Sequence, residues 1–148
     1  MVIMKNQPLV RVVAAVLEES GMVLIAKRRE GDALAGKWEF PGGKIEQGET
    51  PEIALERELR EELGIETVIG ELVCTSTYIY EHMSVELAAY VARWISGDIV
   101  PLVHDEIRWV APAVLSSYDF PEANVPVIHA IICRRSQDNE CGTGDSVK

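Results

Sequence analysis

Three glutamates, Glu58, Glu61 and Glu62, stand at spacings i, i+3 and i+4 within residues 43–65, GKIEQGETPEIALERELREELGI. On a helix that spacing projects all three carboxylates from one face. Like charges so placed repel, and the crowding is relieved when a cation sits among them. A hard divalent ion suits the set: Mg2+ takes carboxylate oxygens, keeps several waters and shares substrate phosphates, and Mn2+ is the alternative ion. The competing reading is a solvated acidic face with no ligand. A divalent ion serves phosphate chemistry by neutralising the phosphate chain and by lowering the pKa of a coordinated water. Displacement at phosphorus rests mainly on positioning and charge stabilisation, so no protein nucleophile is required. His82, His104 and His129 stand in no Ser-His-Asp or Cys-His arrangement, and each reads as a core or surface residue.

The helix that must carry these glutamates is well marked. Thr50 can cap it, Pro51 suits its first position, Glu52 meets the positive end of the dipole, and Gly64 is the expected left-handed stop. Leu55, Leu59 and Leu63 form an adjoining apolar stripe that seats it on a core. Before it, Trp38-Glu39-Phe40-Pro41-Gly42-Gly43-Lys44 leads into a glycine-rich loop that begins at Gly43, and Pro41 and the paired glycines permit close backbone approach. No Gly-Lys-Ser/Thr closes a phosphate loop there, so the phosphate argument rests on the carboxylates.

The run from Gly43 to Ile65 resembles the Nudix signature: Gly, five residues, Glu, seven residues, Arg-Glu-aliphatic, any residue, Glu-Glu, any residue, Gly-aliphatic. Gly43, Glu49, Arg57, Glu58, Leu59, Glu61, Glu62, Gly64 and Ile65 fill every fixed position. The WEFPGGK run is itself similar to the MutT-like branch. The resemblance implies an α/β fold, the Nudix α/β/α sandwich with a mixed β-sheet. It implies a nucleoside triphosphate pyrophosphohydrolase that releases a monophosphate and pyrophosphate, with oxidised purine nucleotides such as 8-oxo-dGTP among the candidate substrates. A cytidine nucleotide is the alternative substrate, and a nucleotide-binding module without activity the alternative class.

By the same resemblance, Glu58, Glu61 and Glu62, with a Gly42 backbone carbonyl, hold the metal, while Arg57 orients Glu61. Glu49 is a further ligand or an orienting group. An additional glutamate of the family would fall where this chain has Val103, and Asp105 or Glu106 is the substitute from a shifted loop. Asp119 to Ile128 is similar to the segment that reads the base through an asparagine. Asn124 is the matching residue, with an amide able both to donate and to accept, although an Asn before Pro126 is also a natural helix cap. Arg28 and Phe40 match positions near the nucleobase. From the residues alone, Lys27-Arg28-Arg29 is either a solvated tip or a ligand site, and Phe40 reads equally well as core.

A formal net charge of −10 argues against a nucleic-acid polymer as partner and leaves a small nucleotide whose charge a metal ion offsets. Cys74, Cys133 and Cys141 lack metal-ligand spacing and read as free thiols of a reducing cytoplasm. No stretch reads as a leader or reaches membrane-spanning length. The length fits one domain over residues 1–135, a monomer or homodimer, followed by a polar, disordered tail over 136–148.

Along the chain, Pro8–Glu18 reads as a strand covered on both faces, turning at Glu19-Ser20-Gly21 into a second over Met22–Ala26. Glu66–Tyr80 and Ser84–Ile95 read as two more, and Ile107–Val110 as a short last one. Pro112–Ser117 reads as a short helix or turn, and Val127–Arg134 as a helix.

Overall fold

Strand β1 (Leu9–Glu19) lies at the middle of the sheet, and its alternation divides the core in two. Successive side chains on a strand point to opposite faces. Val13, Ala15 and Leu17 enter one apolar cluster, while Ala14 and Val16 enter the other. All five are buried, as expected of a strand covered on both sides. The structure, a computed structural model, describes residues 8–134, so the expected tail over 136–148 and Cys141 lie outside the described residues.

β2 (Met22–Arg28) returns beside β1 through a tight turn in which Ser20 and Gly21 both take positive φ, 53° and 80°. That is the twist-matched turn of a two-residue hairpin. β3 (Trp38–Glu39) pairs with β2, and β4 (Gly42–Lys44) pairs with β1. β4 thus takes in Gly43, where the sequence reads as the start of a glycine-rich loop. α1 (Pro51–Leu63) follows, then β5 (Glu66–Ile79), β6 (Ser84–Ser96) and β7 (His104–Val110). β1 runs parallel to β6 and every other pairing is antiparallel, so the sheet is mixed, ordered β3-β2-β1-β6-β5 with β4 on β1 and β7 on β2.

Residues 112–117 form a short 3-10 turn, Glu122–Asn124 another, and 125–134 are helical, labelled α2. Ala54, Leu55, Leu59 and Leu63 of α1 pack with Val13, Ala15, Leu17 and Leu24. Val127, Ile128 and Ile131 of α2 pack with Ala14, Val16, Val23 and Ile25. The two helices thus cover opposite faces of the sheet, giving an α/β/α sandwich. No helix among the described residues is long and apolar enough to cross a membrane.

Candidate active site

α1 begins and ends where its sequence directs. The Thr50 hydroxyl accepts from the Ile53 amide at 3.1 Å, and Gly64 closes the helix at φ 72° with its amide on the Arg60 carbonyl. The far end is held a second time: the Val100 and Leu102 amides donate to the Leu63 and Glu62 carbonyls, each at 3.0 Å. Otherwise orphaned carbonyls are satisfied there by the segment entering β7.

The two glycines of β4 let α1 come down onto the sheet. A Cβ on Gly42 would lie 2.0 Å from the Val13 carbonyl oxygen, and one on Gly43 would lie 2.4 Å from the carboxyl carbon of Glu58. Only glycine leaves room for both contacts. The Gly42 amide donates to Glu62 Oε1 at 3.3 Å. Burial first, then the negative charges of Glu39 and Glu58, push the Glu62 carboxyl up to about 9. Burial also raises Glu58, against the pull of Arg57.

Arg57 is the organiser of the opposite side. Its Nε and Nη2 grip the two oxygens of Glu49 at 2.6 and 2.9 Å, and Nη1 reaches Glu58 at 3.0 Å and Glu61 at 3.3 Å. Nη2 also donates to the Lys44 carbonyl, fixing the guanidinium against β4. The expectation that Arg57 chiefly orients Glu61 is thereby refined, since its best-made bonds go to Glu49. Glu49 accepts in addition from the Glu46 amide. Arg57, followed by that amide, holds the Glu49 carboxyl down at about 2. Both Glu49 oxygens are engaged, which suits an orienting group better than a ligand.

The three helix glutamates are graded. Glu62 is the most enclosed, Glu58 is 15% exposed and Glu61 is 59% exposed on the rim. Among the described residues no three His, Cys, Asp or Glu side chains already converge on one point. The donor chemistry nonetheless fits a hard cation. Glu58 and Glu62 are oxygen donors pressed together with Glu39, and Arg57 neutralises only the outer side of the group.

Glu39 is the carboxylate that sequence reasoning missed. It alternates with Trp38 and Phe40, which sit in the α2-side core, so it faces α1 and its charge reaches Glu62. Arg28 Nη1 donates to Glu39 Oε1 at 2.9 Å, and His104 Nε2 meets Oε2 at 2.8 Å. The Glu106 alternative is corrected by the same alternation. Glu106 pairs with Lys27 on the face away from α1 and accepts from Arg108 at 2.6 Å, while Arg108 stacks over Trp38. Asp105 is spent on the Glu30 amide at 3.2 Å, and Val103 is exposed.

Phe40 is 3% exposed, tilted against Phe120 with centroids 5.1 Å apart, so its ring packs the core. Asn124 is buried at the end of the 3-10 turn before α2. Its backbone amide donates to the Pro121 carbonyl at 3.0 Å, and its side-chain amide makes no hydrogen bond to another described residue. Ser76 Oγ donates to the Ala123 carbonyl at 3.1 Å and the Tyr78 hydroxyl bonds to Glu122, which fixes this segment against β5. No hydrogen bond joins Arg28 and Asn124 directly.

A sheet clamped between two helices, with an Arg-anchored carboxylate group packed on a double glycine, defines a class of hydrolase, and comparison names it. The NUDIX domain family matches residues 12–130, and the chain belongs to the Nudix hydrolase family. Within it the chain is MutT-like. It is 35% identical over 128 residues to the CTP pyrophosphohydrolase of Escherichia coli K12, covering 86% of this chain and 95% of that one. It is 36% identical over 129 residues to the 8-oxo-dGTP diphosphatase of Haemophilus influenzae, covering 86% and 94%. The crystal structure of the MutT protein from Methanosarcina mazei superposes with a TM-score of 0.77 at 25% identity, covering 90% and 97%.

Proposed function

We propose that the protein hydrolyses a nucleoside triphosphate to the monophosphate and pyrophosphate, with Mg2+ (or Mn2+) held by Glu58, Glu61, Glu62 and the Gly42 carbonyl. The observation that carries this reading is Glu62, a carboxylate enclosed beside Glu58 and Glu39, bonded to the Gly42 amide and to the Glu58 carboxyl with no cationic side chain against it among the described residues. Bound there, a divalent ion would neutralise the phosphate chain and acidify a coordinated water. Arg57 holds Glu49 and Glu58 in register so that these oxygens need not reorganise. Arg28, bonded through Nε to the Ala33 carbonyl and through Nη1 to Glu39, leaves Nη2 to donate to the substrate.

The unbonded side-chain amide of Asn124 supports base recognition, since it can pair with a purine edge in both senses. The two relatives differ in the substrate that their names state, so a cytidine nucleotide is the second reading. The test is a panel of oxidised and normal nucleoside triphosphates with Mg2+, pyrophosphate release being recorded against an EDTA control. Fastest release from guanine nucleotides is expected. Fastest release from cytosine nucleotides would overturn the purine assignment, and metal-independent release would overturn the metal reading.

A further inference from the structure

His104 sits opposite Arg28 only because of an irregularity in the sheet. β2 and β7 pair as Leu24 with Trp109, Ile25 with Arg108, Ala26 with Ile107 and Lys27 with Glu106, and regular pairing would next place Asp105 across from Arg28. Instead the register slips, and Arg28 faces His104. A one-residue slip exchanges the faces of all that follows, and bulges characteristically re-aim a side chain. Here the slip turns the imidazole toward the α1 face, where β3 presents Glu39 from the other side of β2.

The result is a chain of bonds across three strands. His104 Nε2 meets Glu39 Oε2 at 2.8 Å, and Arg28 Nη1 donates to Glu39 Oε1 at 2.9 Å. Each carboxylate oxygen has one partner, so Glu39 is fixed from both sides. Since the carboxylate accepts, Nε2 carries the proton in this contact. The His104 side chain is 3% exposed, and its Nδ1 is buried without a partner among the described residues. An unmade buried hydrogen bond is destabilising. A purely packing role would be served without that cost by an apolar side chain of similar size. The imidazole is placed for its Nε2 side.

We propose that His104 is a positioning residue for substrate binding, acting through Glu39 to hold the Arg28 guanidinium with Nη2 presented to the substrate. This rests on the reading of Arg28 as a substrate contact. His104→Gln keeps an amide donor at the place of Nε2, whereas His104→Phe fills the space and donates nothing. With the nucleotide that the wild type prefers, His104→Phe is expected to raise KM roughly tenfold with kcat and the Mg2+ requirement unchanged. His104→Gln should return most of that loss, and His104→Phe should add nothing to Glu39→Gln.

A folded His104→Phe protein with wild-type KM overturns the inference, as does one in which kcat or the Mg2+ requirement changes instead. Arg28→Ala separates the two levels. A raised KM there with none in His104→Phe sinks the positioning role alone, while wild-type KM in Arg28→Ala sinks the reading of Arg28 and this inference with it. Should His104→Phe fail to fold, imidazole nitrogen NMR of the wild type decides. The proton is expected on Nε2, and a proton on Nδ1 alone would overturn the proposal.

Discussion

Arg57 and Glu49 are joined by two roughly parallel bonds, Nε to Oε2 at 2.6 Å and Nη2 to Oε1 at 2.9 Å, and this fork ties the loop before α1 to the helix. Lysine cannot reproduce a bidentate fork and cannot reach Glu58 at the same time. Arg57→Lys is expected to lower turnover by roughly 10–100-fold, the usual cost of losing an orienting partner of this kind, with little change in circular dichroism at neutral pH.

The same pair sets an acid limit. Glu49 is held at about 2 against an ordinary value of 4.5, so its contribution is present above about pH 4.5 and is lost as pH falls toward 2. In Arg57→Lys the carboxyl returns toward its ordinary value, and the acid-unfolding midpoint should move to higher pH. A midpoint identical to the wild type, followed by circular dichroism, would remove the fork from the stability argument.

Glu62 acts in the opposite sense. Its folded-state value near 9 lies above the ordinary 4.5, so the stabilising share is complete below about pH 4.5 and drains away as pH rises toward 9. Without divalent ions the wild-type Tm should therefore fall across that window, and Glu62→Gln should flatten the fall. Adding Mg2+ near the alkaline end should raise the wild-type Tm more than that of the variant, because a bound ion stabilises only the state that holds it. Equal shifts in both proteins would argue against Glu62 as a ligand.

Helix α1 is readable from the sequence because its information is local. Thr50, Pro51, Gly64 and the Leu55-Leu59-Leu63 stripe act within a few residues of themselves, and each does what its type requires. Long strands were readable for the same reason. β3 and β4, of two and three residues, carry too little periodicity to register and exist through pairing with β2 and β1. Glu39 and His104 were missed because they are 65 positions apart and meet only through the slipped register opposite Arg28. The position of Val103 carries no carboxylate, and the one that reaches Glu62 comes from β3, far away along the chain.

Gly43 offers a test of the close contact itself. A methyl group there would fall 2.4 Å from the Glu58 carboxyl carbon, whose side chain must swing away. Gly43→Ala should leave the protein folded, since the obstacle is the end of a flexible side chain, while turnover drops and the Mg2+ concentration needed for half-maximal rate rises. Gly48→Ala is the control. It meets no atom within 4 Å but is strained at φ +86°, so it should cost about 1 kcal/mol of stability with the Mg2+ requirement unchanged.

Substitution at Asn124 tests the proposed base contact apart from the phosphate chemistry. The Asn124 side-chain amide bonds to no described residue, so truncating it should cost the fold little. Asn124→Ala is expected to narrow the difference in kcat/KM between the best and worst nucleotides by roughly tenfold or more, the scale set when a substrate's polar group loses its partner. Asn124→Asp keeps the size but removes the donor, so it should disfavour any base edge that offers an acceptor there. Both variants should keep the wild-type Mg2+ requirement, because the α1 glutamates lie on the other side of the sheet. An unchanged nucleotide preference in both would assign the base contact elsewhere and leave Asn124 a role in seating the segment before α2.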